Sequence, residues 1–179
     1  MNHDKILDSL MRREGGYVDR ADDRGGPTNH GITLTTLSAW RRGPVTAADV
    51  RALTELEARS IYQSEYIEKP GFDRIDDEPL RDLLVDSAVN HSPARAVKWL
   101  QGALGVPPDG QIGPVTLAAL EAAYHWAVYD AVLAERIRFY GRLVSKDTAD
   151  ADKDGISDAG ENASGWLNRA AEFVERRSV

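Results

Sequence analysis

Apolar residues recur at helical spacing along most of the chain. Near the N-terminus Ile6, Leu7, Leu10 and Met11 fall on one face of a helix that Asp4 can cap and that Gly15-Gly16 ends. From residue 17 to 33 the helical pattern gives way to short strands or turns, punctuated by Gly25, Gly26, Pro27 and Gly31. Thr35 or Thr36 is then expected to open a helix carrying Leu37 and Trp40. Thr46-Ala-Ala-Asp49 and Thr54-Glu-Leu-Glu57 both have capping-box form, and the second starts a helix running through Ile61, Tyr62 and Tyr66. Beyond the Pro70-Gly71 turn, the segment from Glu78 to His91 carries Leu80, Leu83, Leu84, Ala88 and Val89. Ser92-Pro93 begins another helix, with Ala96, Val97, Leu100 and Leu104 leading to Gly105. Pro107-Pro108-Asp109-Gly110 makes a turn, Pro114 opens the next helix, and helical pattern resumes from Ala122 to Leu143 and from Trp166 to Val174. The pattern predicts a mainly α fold with one small irregular or β lobe near the N-terminus.

At 179 residues with 42% hydrophobic content, the chain suits a single domain with a real core. It contains no cysteine, which removes disulfides, thiol nucleophiles and cysteine-ligated zinc together. No run approaches the roughly 20 apolar residues of a membrane span, and the first residues read as no signal peptide. A soluble monomer without membrane insertion, made in the cytoplasm, is expected. The net charge of −7 argues against a nucleic-acid partner bound by phosphate neutralisation. His3, His30, His91 and His125 lack the spacing of a zinc hydrolase, and neither a G-x-S-x-G elbow nor a phosphate loop is present.

The glycine-rich strip REGGYVDRADDRGGPTNHGIT, from Arg13 to Thr33, supplies little core. It follows Glu14, which stands on the last turn of the first helix. The negative end of a helix dipole favours the proton-bound form of a carboxyl. A general acid that delivers a proton to a leaving oxygen needs that form. The strip can fold back over the helix end and bring Asp23, Thr28 and Asn29 opposite Glu14. A carboxylate such as Asp23 would then stabilise positive charge on a sugar or orient a water. Asp19 and Asp22 lie close to Asp23 in sequence.

EGGY followed by DRGGPTNHGIT resembles the N-terminal signature of the glycoside hydrolase family 108 muramidases, which resemble phage endolysins and have a lysozyme-like fold. YQSEYIEKPGFDRI and DLLVDSAVNHSPARAVKWLQ resemble the family's central region. VKWLQGALGVPPDGQIGPVTLAAL resembles its C-terminal predicted peptidoglycan domain, and GWLNR at 165–169 also fits. The resemblance divides the chain into a muramidase part, 1–92, and a peptidoglycan-domain-like helical part, 93–179. It implies Glu14 as catalytic acid, Asp23 and Thr28 as its catalytic partners, and Tyr17 and Asn29 as substrate contacts. The implied reaction is hydrolysis of the β-1,4 bond between N-acetylmuramic acid and N-acetylglucosamine of bacterial peptidoglycan, reached from the host cytoplasm through a holin-type pore. A lytic transglycosylase or a non-catalytic wall-binding module are the alternatives.

DADKDGISDAGE, residues 150–161, matches the calcium-loop template D-x-[DN]-x-[DN]-G-x5-E. Asp150, Asp152 and Asp154 take the first three ligand positions. Gly155 provides the sharp turn, Ile156 a backbone carbonyl, Asp158 the next position and Glu161 the bidentate one. Hard oxygen ligands select calcium over softer metals. Ser157 stands where an apolar residue is usual. A structural calcium that ties down the C-terminal helix is the expected cofactor.

Overall fold

The computed structural model describes residues 3–19, 26–149 and 158–175, giving the backbone alone for 146–149 and 158–161. Its chain divides into two compact units, Met1–Lys69 and Pro70–Val179. The described residues are mainly helical, with one two-stranded sheet.

The first unit contains α1 (Asp4–Glu14), β1 (Thr28–Asn29), β2 (Ile32–Thr33), α2 (Leu34–Arg41), α3 (Ala47–Arg51) and α4 (Glu55–Tyr62). Ile6, Leu7 and Leu10 are buried on the expected face of α1, although His3 takes the cap position and Asp4 lies inside the first turn. A fully formed capping box opens α3, with Thr46 and Asp49 bonding each other's backbone. At α4 only half of the expected box forms. Thr54 accepts from the Glu57 N–H, but the Glu57 carboxylate turns to Arg41, which donates at 2.9 and 2.8 Å. A bidentate guanidinium–carboxylate pair outcompetes the single local bond. At α2 the cap is Thr33, whose hydroxyl accepts from Thr36, in place of Thr35 or Thr36. Arg59 of α4 reaches Asp8 of α1 at 2.7 Å, which pairs these two helices.

The helix that begins at Glu55 does not stay α. It passes at Tyr62 into a π-helical stretch, Gln63–Glu68, closed by Lys69 N–H donating to the Ser64 carbonyl at 3.0 Å. Such stretches are rare and occur often at functional sites. The widened turn buries Tyr62 and Ile67, five residues apart, on one face while Tyr66 stays half-buried between them.

The second unit contains α5 (Glu78–His91), α6 (Pro93–Leu104), α7 (Pro114–Glu121), α8 (His125–Ala149) and α9 (Asp158–Glu175). The proline and glycine signals place α5, α6 and α7 where the sequence predicts them. Asp77 caps α5, Pro93 and Pro114 occupy first turns, and Gly105 ends α6 at φ +69°. The last helix starts earlier than the Trp166 pattern suggests. Leu80, Leu83, Leu84, Val97, Leu100 and Val132 are buried in the core, and α5 packs on both α6 and α8.

Within that core sits a charge cluster. Asp86 is 1% exposed and receives Arg136 at 2.6 Å and Arg169 at 2.7 Å. Arg136 is 0% exposed and also donates to the Tyr140 hydroxyl at 2.9 Å. These bonds tie α5, α8 and α9 together. His91 lies beside them, its ring within 5.1 Å of both Phe139 and Tyr140. Burial first, then the Arg136 and Arg95 charges, push its pKa down to about 4, so it is neutral in the fold. No helix among the described residues is long and apolar enough to cross a membrane.

Candidate active site around Glu14

Glu14 ends α1, and Gly15 leaves the helix at φ +68°. The following residues run back antiparallel: Val18 and Thr28 exchange backbone bonds of 2.8 and 2.9 Å. Thr28 then enters the hairpin, pairing with Thr33 while Asn29 pairs with Ile32. The two-residue loop His30-Gly31 has φ +51° and +73°, the signs a type I′ hairpin turn requires at both central positions.

That turn lies against Glu14. A Cβ at Gly31 would stand 2.5 Å from the Tyr62 hydroxyl, 2.7 Å from Glu14 Oε2 and 3.1 Å from Glu14 Cβ. Real Cβ atoms do not approach so closely, so the backbone reaches the acid only because residue 31 has no side chain. Tyr62, 1% exposed, donates its hydroxyl to the His30 carbonyl at 2.9 Å. Its ring lies 5.4 Å from that of Tyr66. The Tyr66 phenol has a raised pKa, from burial first and then from the negative charges of Glu65 and Glu14. Glu14, the hairpin turn and the two tyrosines thus form one cluster, half-open to solvent at Glu14 and Tyr66.

The other residues singled out in the sequence are distributed as follows. Asn29, expected to contact substrate, is 6% exposed, and its Nδ2 donates toward the carbonyls of Val50, Arg51 and Leu53 at 3.1, 3.1 and 3.3 Å. Its amide anchors the hairpin to the end of α3. Tyr17 is half-buried under the Arg51 guanidinium, 4.6 Å from the ring centroid, and donates to Asp19 at 2.8 Å. Thr28 is half-buried in the hairpin. Asp23 lies outside the described residues. So do Asp150, Asp152, Asp154 and Ile156 of the acidic loop, while Asp158 and Glu161 are described only as backbone in the first turns of α9. Among the described residues no group of His, Asp or Glu is arranged to hold a metal. His30 contributes its carbonyl and its left-handed backbone. Sequence reasoning missed Tyr62 and Gly31 as parts of the cluster, and their only signals were a glycine between hairpin strands and a tyrosine at helical spacing.

In the second unit Gln101, 1% exposed, ties together the LQ, DG and IGPVT portions of the stretch VKWLQGALGVPPDGQIGPVTLAAL. Its amide Nε2 donates to Asp109 at 2.6 Å, the Gln111 carbonyl at 2.9 Å and Thr116 at 3.2 Å, while its Oε1 accepts from Gly110 N–H at 2.9 Å. One buried amide thereby fixes the turn and the start of α7. The Gln101 bond comes first among the causes that lower the Asp109 pKa.

Residues 7–92 match the family described as Glycosyl hydrolase 108, and residues 95–171 match the one described as Predicted Peptidoglycan domain. The first match runs past the first compact unit to include α5. Among solved structures the chain is similar to that of Brucella abortus SagA, with 34% identity, 97% of this chain and 91% of that chain covered, and a TM-score of 0.81. No curated protein sequence matches it. With 97% of the chain aligned at that identity and both segments matched in order, this protein belongs to the glycosyl hydrolase 108 family, peptidoglycan-acting glycosyl hydrolases, and carries a peptidoglycan domain in its C-terminal part.

Proposed function

We propose that the protein is a muramidase of endolysin type that hydrolyses the β-1,4 bond between N-acetylmuramic acid and N-acetylglucosamine. The observation that carries this reading is the placement of Glu14 at the end of α1, seated against a hairpin turn and open to solvent on one side. Glu14 acts as general acid: its proton passes to the glycosidic oxygen as the bond to the anomeric carbon breaks. Water adds to that carbon and gives up its proton to a second carboxylate, for which the sequence offers Asp23. Thr28, held in the hairpin by the Val18 bridge, is the third member. The likeness of the strip to phage endolysins supports synthesis in the host cytoplasm and action at the wall after release.

Calcium belongs to the same proposal as a structural ion. What supports it is the ligand spacing from Asp150 to Glu161, flanked by α8, which ends at Ala149, and α9, which begins at Asp158. Bound there, the ion would neutralise carboxylates that otherwise repel one another. It enters no step of bond cleavage.

The test of the activity is Glu14→Gln. This variant should keep the wild-type circular dichroism and melting temperature while losing turbidity clearance of purified peptidoglycan. Wild-type digests should carry new reducing ends on muramic acid with intact peptide stems. Free stems would identify an amidase, and anhydro-sugar ends a transglycosylase.

A further inference from the structure

The cluster around Glu14 has an unusual construction: its rigid part is backbone. Glu14 is the last residue of α1. Gly31, whose missing Cβ lets the turn backbone stand against both Glu14 Cβ and Oε2, walls in its side chain from the hairpin side. A hairpin of two residues per strand is weak by itself. Besides the Val18 bridge, two side chains hold this one down. Just before the turn, the Asn29 amide bonds the carbonyls at the end of α3. At its tip, the Tyr62 hydroxyl donates to the His30 carbonyl. Tyr62 is buried where α4 passes into the π-helical stretch, so its ring has no room to follow a moving turn.

We propose that Tyr62 and Gly31 are positioning residues for Glu14: the Tyr62 hydroxyl pins the His30-Gly31 turn, and the bare Gly31 backbone holds the carboxyl in its reactive placement. This rests on the reading of Glu14 as the general acid. A misplacement of about 1 Å can cost on the order of a hundredfold in rate when proton transfer depends on near-attack geometry. Loss of the tether should therefore act on turnover rather than on substrate affinity, since neither group is required to touch the sugar.

The experiment compares Tyr62→Phe, Gly31→Ala and Gly105→Ala with the wild type and Glu14→Gln, on soluble peptidoglycan strands, with melting temperatures measured in parallel. Gly105 has nearly the same left-handed backbone as Gly31, φ +69° against +73°, but open space around its Cβ position. Its substitution therefore reports backbone strain without crowding. Tyr62→Phe should lower kcat by roughly tenfold to a hundredfold with KM within about twofold of wild type. Gly31→Ala should lower kcat at least as far, whereas Gly105→Ala should lower only the melting temperature. A Tyr62→Phe enzyme with wild-type kcat, or one changed in KM alone, overturns the proposal. So does a Gly31→Ala enzyme no slower than Gly105→Ala at a temperature where both are folded. If Glu14→Gln is itself active, the reading of Glu14 fails. If Glu14→Gln is dead and Tyr62→Phe is not impaired, the positioning role alone fails.

Discussion

Replacing Asp86 by alanine should remove much of the stability of the second unit. The side chain of Asp86 is 1% exposed and holds two guanidinium groups, those of Arg136 at 2.6 Å and Arg169 at 2.7 Å. Arg169 is 18% exposed and can turn outward once its partner is gone. Arg136 has no such exit: it is 0% exposed, and an arginine cannot shed its proton to avoid burial as an ion. Its remaining partners, the Tyr140 hydroxyl at 2.9 Å and the Ser87 hydroxyl at 3.5 Å, are neutral. Breaking one side of a buried ion pair costs about 3–5 kcal/mol. At roughly 2–4 °C per kcal/mol for a protein of this size, melting should fall by about 6–20 °C. Circular dichroism melting at neutral pH, with urea midpoints as a second measure, reads this directly. The companion variant Asp86→Leu/Arg136→Met removes both buried charges and should recover most of the loss, because the cost lies in the stranded cation and not in a missing attraction. An Asp86→Ala protein that melts within about 3 °C of wild type, or a double variant no better than the single one, would refute this account.

Two further outcomes follow from the fold and the acidic loop. His91 takes a proton near pH 6.5 when unfolded but only near pH 4 when folded, so its contribution is full above about 6.5 and is lost as pH falls toward 4. The loss is on the order of 2 kcal/mol once solvent screening at the part-exposed ring is allowed for, and urea midpoints between pH 7.5 and 4.5 should fall less steeply in His91→Gln. Calcium at a hundredfold excess over Kd should stabilise the protein by about 2.7 kcal/mol, seen as a melting point several degrees above that in chelator. Glu161→Ala should abolish that difference, and identical wild-type melting in both conditions would dismiss the ion.

Local chemistry in the sequence determined much of this protein. Proline and glycine punctuation marks α5, α6 and α7, and the apolar spacing identifies the buried faces of α1 and α5, because caps and periodicity depend on neighbours within a few residues. Glu14 and its glycine-rich strip are visible for the same reason. Contacts between distant residues were decided only in the tertiary structure. The Glu57 carboxylate leaves its local capping box for Arg41, sixteen positions away. Asn29 looks like a ligand-facing polar residue beside the acid, yet three carbonyls more than twenty positions later claim its amide. Asp86 and Arg169 are 83 residues apart, a pairing no spacing reveals. The Gln101 pattern is legible as a motif, but its cause is a buried amide that satisfies a turn, apparent only when the turn closes. The same holds at the candidate active site, where the proposed acid Glu14 is legible in the sequence and the turn beside it is not: Tyr62, buried at the α-to-π transition, donates to the His30 carbonyl across 32 residues, a bond that no local spacing reveals.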